Sequence, residues 1–107
     1  MKRTITPGEL GERPEDFTVI DVRRKTDYDG EVILDAEWRD PEQVERWAGE
    51  LPPDREVVIY CARGGSVSNK VLDSLLAGNV KARYIEGGIE GWRQSGLKVA
   101  KKSGSGR

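Results

Sequence analysis

The sequence predicts an α/β protein, one domain built on a parallel sheet with helices on both faces. Three observations carry this. Short β-branched runs alternate with amphipathic segments from end to end. The clearest strand, residues 56–60, runs straight into a Gly-rich turn and then a helical pattern. The length, 107 residues, suits one domain, and no internal repeat divides it.

The elements follow in order. Thr6-Pro7 reads as a helix start, with Thr6 as N-cap and Pro7 in the first helical position, and the helix ends near Gly11. Phe17-Thr18-Val19-Ile20-Asp21-Val22 is a β-branched run and reads as a buried strand. Residues 23–35 are charged and irregular, with Asp29-Gly30 as a turn signal. Asp40-Pro41 opens a second helix, on which Val44, Trp47, Ala48 and Leu51 share one face before Pro52-Pro53 stops it. After strand 56–60 and its turn, Val67, Val71, Leu72, Leu75 and Leu76 mark a helix ending at Gly78-Asn79. Residues 81–85 read as a strand, Gly87-Gly88 as a turn and residues 89–95 as a short helix stopped by Gly96. Residues 1–100 are therefore expected to form the domain and residues 101–107 a flexible polar tail.

Composition removes several functions. Formal net charge is −1, from 18 basic and 19 acidic residues, so no global field favours nucleic acid or an anionic membrane. No apolar run approaches the roughly 20 residues that span a bilayer, and the start of the chain lacks the apolar region of a secretory signal. There is no histidine, which excludes a Ser-His-Asp triad, a Cys-His pair and a His-containing zinc site. Cys61 is the only cysteine, so no disulfide forms within the chain and a cytoplasmic setting is the default. A monomer without cofactor or metal is expected.

Cys61 stands at the end of the clearest strand, where open α/β sheets place their ligands. The amides of Ala62, Arg63, Gly64, Gly65 and Ser66 can curl into a cradle, with Gly64 and Gly65 expected to supply the φ values it needs. The following helix adds its dipole and free N–H groups. Such a field favours a thiolate, a persulfide anion or a bound oxyanion. Arg63 adds a positive charge. A cysteine at a strand end also fits a small buried hydrophobe, and Gly-Gly a plain connection.

Four segments together resemble the rhodanese family: Val19-Ile20-Asp21-Val22-Arg23, the strand Val57-Val58-Ile59-Tyr60-Cys61, the six-residue loop Cys61 to Ser66, and Glu86-Gly87-Gly88-Ile89-Glu90-Gly91-Trp92. They occur in the family's order over about residues 5 to 98. The resemblance implies a five-stranded parallel sheet flanked by helices. It also implies transfer of a sulfane sulfur through a Cys61 persulfide, from thiosulfate or a protein persulfide to cyanide, a small thiol or a protein thiol. By the same resemblance Cys61 is the nucleophile, residues 62–66 bind substrate, and Asp21 and Arg23 shape the site from below. Gly87-Gly88, Trp92 and Trp47 read as requirements of fold and packing.

Two departures stand out. The family's frequent Gly-His-Ile-Pro-Gly-Ala stretch is here Gly30-Glu31-Val32-Ile33-Leu34-Asp35-Ala36, and the sixth loop position, basic in many thiosulfate users, is Ser66. Other functions remain open at this level. A cysteine phosphatase needs an arginine six residues after the cysteine to clamp phosphate, and Val67 stands there. An oxyanion reductase would need an external thiol. A non-catalytic binding or regulatory module would usually lack the cysteine.

Overall fold

The computed structural model describes residues 3–63 and 65–101. Five strands form one parallel sheet in the order β1-β6-β5-β2-β4: β1 (Thr4–Ile5), β2 (Phe17–Asp21), β4 (Glu37–Trp38), β5 (Glu56–Tyr60) and β6 (Ala82–Ile85). A separate antiparallel ribbon pairs β3 (Glu31–Ile33) with β7 (Val99–Lys101). Among the described residues, four helices cover the sheet: α1 (Pro7–Glu12), α2 (Val44–Trp47), α3 (Ser66–Ala77) and α4 (Gly88–Gln94).

The central strand β5 is buried on both faces, as a parallel strand between helical layers must be. Val58 and Tyr60 point into a core shared with Leu10 of α1 and Ile89 and Trp92 of α4. Val57 and Ile59 point into a second core with Val44 and Trp47 of α2 and Val71, Leu72 and Leu75 of α3. The two-residue period of the strand thus feeds two cores. The predicted fold class, a parallel sheet between helical layers, is the observed one.

The start of α1 is as the sequence predicts. The Thr6 hydroxyl accepts from the Glu9 amide at 3.1 Å, and the Thr6 amide donates to Glu9 Oε1 at 3.1 Å. This reciprocal cap is worth about 1 kcal/mol. The second predicted helix differs. Asp40 caps it, accepting from the Glu42 amide at 2.9 Å, but the segment breaks into a 3₁₀ turn (Pro41–Gln43), the single α-turn α2 and another 3₁₀ turn (Ala48–Glu50). The Asp40 carbonyl explains the first break. It accepts from the Gln43 amide at 3.0 Å and from Trp47 Nε1 at 2.8 Å, which closes the opening turn tightly.

Two further corrections concern short strands. Residues 23–35, read as irregular, contain β3, and Lys101, assigned to the tail, is the last residue of β7. Strands of three residues are too short to show a period of two. The rest of the expected tail, residues 102–107, lies outside the described residues, as does Gly64.

Candidate functional site

Cys61 is the first residue beyond β5, at the carboxyl edge of the sheet, and is only 5% exposed. Hydrogen bonds from α4 hold its backbone. The Ile89 amide donates to the Cys61 carbonyl at 3.0 Å, and the Glu90 amide to the Ala62 carbonyl at 3.1 Å. Peptide units are trans and planar, so the amides of Ala62 and Arg63 point away from α4. Ala62 is half-buried, Arg63, Gly65 and Ser66 are exposed, and Ser66 opens the twelve-residue α3. The described members of the expected loop follow one another here, with Ser66 facing one recess and Arg63 another; Gly64 lies outside the described residues.

The glycines of the loop do not all act as predicted. Gly65 has φ −96°, which is not the left-handed region, and a Cβ there would meet nothing within 4 Å. Among the described glycines, those that hold the loop lie in the turn before α4. Gly87 and Gly88 have φ +76° and +61°, and a Cβ on Gly88 would lie 2.7 Å from the Ala62 carbonyl. Only glycine lets α4 approach closely enough for its amides to reach the loop.

Below the loop lies a buried charged cluster. Asp21 is 0% and Arg23 2% exposed, so the pair is buried. Arg23 Nε donates to both Asp21 oxygens at 3.0 and 3.1 Å, Nη2 donates to Oδ2 at 2.6 Å, and the Arg23 amide donates to Oδ1 at 2.9 Å. The Tyr60 hydroxyl donates to Asp21 Oδ2 at 3.1 Å and accepts from the Ile33 amide at 3.1 Å. Arg23 also reaches Asp29 Oδ1 at 3.1 Å and the Glu31 carbonyl, and its guanidinium lies over the rings of Tyr28 and Tyr60. Burial opposes the charge of Arg23, but the hydrogen bond and charge of Asp21, helped by Tyr60 and Asp29, outweigh it and raise its pKa. Burial, then the charge of Asp21, raises the Tyr60 pKa, so the phenol remains a donor at neutral pH. Removing either partner of such a pair leaves a buried charge uncompensated, which costs about 3–5 kcal/mol.

Asp29 extends the cluster outward. Its Oδ2 accepts from Arg93 Nη2 at 3.3 Å, and Arg93 also contacts Glu31 Oε1 at 2.6 Å and Glu90 Oε2 at 3.1 Å. Burial opposes ionisation of Asp29, but the Glu31 amide and the two arginines bring its pKa below the usual value. Sequence reasoning missed Tyr60, Asp29 and Arg93. The one signal for Tyr60 was its phase in β5, which matches Val58 on the face toward α4.

Two recesses flank the loop. One, about 700 Å³, runs along α3 and is lined by Arg24, Glu42, Glu45, Ser66, Val67 and Lys70 among others. The other, about 440 Å³, is lined by Arg63, Gly87, Glu90, Gly91 and Gln94. Cys61 lines neither, although the larger includes Ser66 and the smaller Arg63.

A single cysteine loop between the central strand and a helix, at the carboxyl edge of a five-stranded parallel sheet, defines the class. The chain belongs to the rhodanese-like domain family, whose model matches residues 6–95. A curated sulfurtransferase of Allochromatium vinosum is 28% identical over 90 residues, covering 84% of each chain. The crystal structure of a rhodanese-related protein from Thermoplasma volcanium superposes with TM-score 0.84 at 24% identity, covering 94% of this chain and 99% of the other. A rhodanese-like domain protein from Staphylococcus aureus gives TM-score 0.78 at 26% identity, covering 96% and 100%. Among the described residues no helix is long and apolar enough to cross a membrane.

Proposed function

We propose that the protein is a sulfurtransferase that carries a sulfane sulfur on Cys61 as a persulfide. The observation that carries this is the placement of Cys61, the only thiol in the chain, at the end of β5 in a loop that α4 holds by its backbone. Family membership and the named activity of the Allochromatium relative support it.

The reaction is a two-step exchange. The Cys61 thiolate attacks the outer sulfur of thiosulfate, or the sulfane sulfur of a protein persulfide. With thiosulfate the S–S bond breaks and sulfite leaves with the electron pair, giving Cys61–S–S⁻. A thiol or cyanide then attacks the terminal sulfur, forming an acceptor persulfide or thiocyanate and regenerating the Cys61 thiolate. No proton transfer to a histidine is required. In this reading the loop amides of residues 62–66 and the Arg63 guanidinium hold the donor anion, while Asp21 and Arg23 hold the strand ends and take no part in bond making. With Ser66 at the loop's end, Arg63 is the one cationic side chain among residues 61–66, which favours a small-molecule or protein persulfide as donor over free thiosulfate. A reducing, cytoplasmic setting suits such a carrier.

The test is intact-mass spectrometry after incubation with thiosulfate and, separately, with a small-molecule persulfide. One sulfur, about 32 Da, is expected on the wild-type chain, removable by cyanide or thiol. Retention of the adduct in Cys61→Ser, or its absence in the wild type with every donor, refutes the assignment.

A further inference from the structure

We propose that Arg93 is a positioning residue for Cys61, closing a ring of contacts that grips the cysteine from both sides. The ring can be traced atom by atom. Cys61 and Ala62 are held through their carbonyls by the Ile89 and Glu90 amides of α4. Glu90 binds Arg93 one turn later at 3.1 Å. Arg93 crosses to Asp29 at 3.3 Å, whose other oxygen binds Arg23 at 3.1 Å. Arg23 clamps Asp21, Asp21 accepts from Tyr60 at 3.1 Å, and Tyr60 is bonded through the chain to Cys61. A second strand of the ring leaves Arg93 for Glu31 at 2.6 Å, and the Ile33 amide of the same β3 donates to Tyr60.

Arg93 is suited to this place. Its planar guanidinium meets three carboxylates from three segments, the 23–30 connection, β3 and α4, which a lysine point charge cannot match. The group is about one-third exposed, so its value lies in geometry more than in raw stability. Without Arg93, α4 is joined to the 29–31 segment by packing alone at this point, and its first amides are free to drift from the loop carbonyls. Displacement of a reacting atom by about 1 Å can cost around a hundredfold in rate.

The inference rests on the proposed role of Cys61, and its test separates the two. Arg93→Gln, Arg93→Lys and, as a control on a remote exposed ion pair, Asp73→Asn are compared in the full chain. Amide hydrogen exchange at Ile89 and Glu90 needs no sulfur chemistry. It is expected to rise about tenfold or more in Arg93→Gln, after correction for global stability, and to stay unchanged in Asp73→Asn. The rate constant for Cys61 persulfide formation, normalised to folded protein, is expected to fall about tenfold in Arg93→Gln and to recover in part in Arg93→Lys. Unchanged exchange in Arg93→Gln overturns the inference, and so does a wild-type rate constant despite faster exchange. If wild-type Cys61 forms no persulfide with any donor, the sulfurtransferase reading fails, and the exchange result alone decides whether Arg93 holds the loop.

Discussion

Gly88 meets the Cys61 loop with nothing but backbone. Its φ of +61° already disfavours any residue with a Cβ, and that Cβ would stand within 2.7 Å of the Ala62 carbonyl, which is itself bonded to Glu90. Neither neighbour is a flexible side chain that can yield. Gly88→Ala should therefore lose about 2 kcal/mol or more of stability and most of the Cys61 reactivity in the protein that still folds. Gly65→Ala, at φ −96° with open space around it, should cost about 1 kcal/mol or less, mainly as a poorer helix cap. Urea melts and the rate of the mass shift measure both; a Gly65 effect equal to that of Gly88 contradicts this account. Of the loop pair, Gly65 does not take the unusual φ expected of it, whereas Gly87-Gly88, read as a requirement of the fold, is one: both have positive φ, and Gly88 abuts backbone. A Gly-Gly pair shows that unusual backbone is allowed, whereas which pair faces another backbone depends on the approach of α4 to a loop some 25 residues earlier. Asp21 and Arg23 were legible as a pair, but their burial was not, because Tyr60, Asp29 and Glu31 complete the cluster from three other segments.

At the scale of elements, the long and strongly patterned pieces were readable: β2, β5, α3, β6 and α4 lie within a residue or two of their expected bounds. The pieces that escaped are short and depend on tertiary partners. β1 and β4 have two residues each and exist because β6 and β2 present free edges to them. β3 and β7 exist because they pair with each other, Ile33 opposite Val99 and Glu31 opposite Lys101. The ribbon is more than a cover. β3 supplies the Ile33 amide to Tyr60 and two acceptors to the arginines, and the Lys98 carbonyl just ahead of β7 accepts from Trp92 Nε1 at 2.9 Å. Deleting residues 99–107 should leave the five-stranded sheet intact and loosen β3. Amide exchange should then rise at Val32 and Ile33 well before it rises at Val58 or Ile59, which remain in the centre of the sheet. Equal protection of β3 with and without β7 would show that packing against Tyr60 suffices to hold it.

For the whole molecule, the decisive fact is that one strand serves both cores. Val58 and Tyr60 belong to the core under α1 and α4, Val57 and Ile59 to the core under α2 and α3. Neither core can come apart without uncovering one face of β5, and with it the inner hydrogen-bonded pairings to β2 and β6. A chain of 107 residues arranged this way should unfold as a single cooperative unit. The tryptophans allow each side to be followed separately, since Trp47 lies in one core and Trp92 in the other. In Trp47→Phe the fluorescence change reports chiefly on Trp92, and in Trp92→Phe chiefly on Trp47, with Trp38 at the edge of the sheet common to both. Each substitution will lower stability, so the comparison is made within a variant, between its fluorescence and its far-UV circular dichroism in urea. Coincident midpoints in both variants are expected. If fluorescence in either variant moves ahead of the dichroism, that side of the sheet melts first, and β5 does not couple the two cores as its alternation implies.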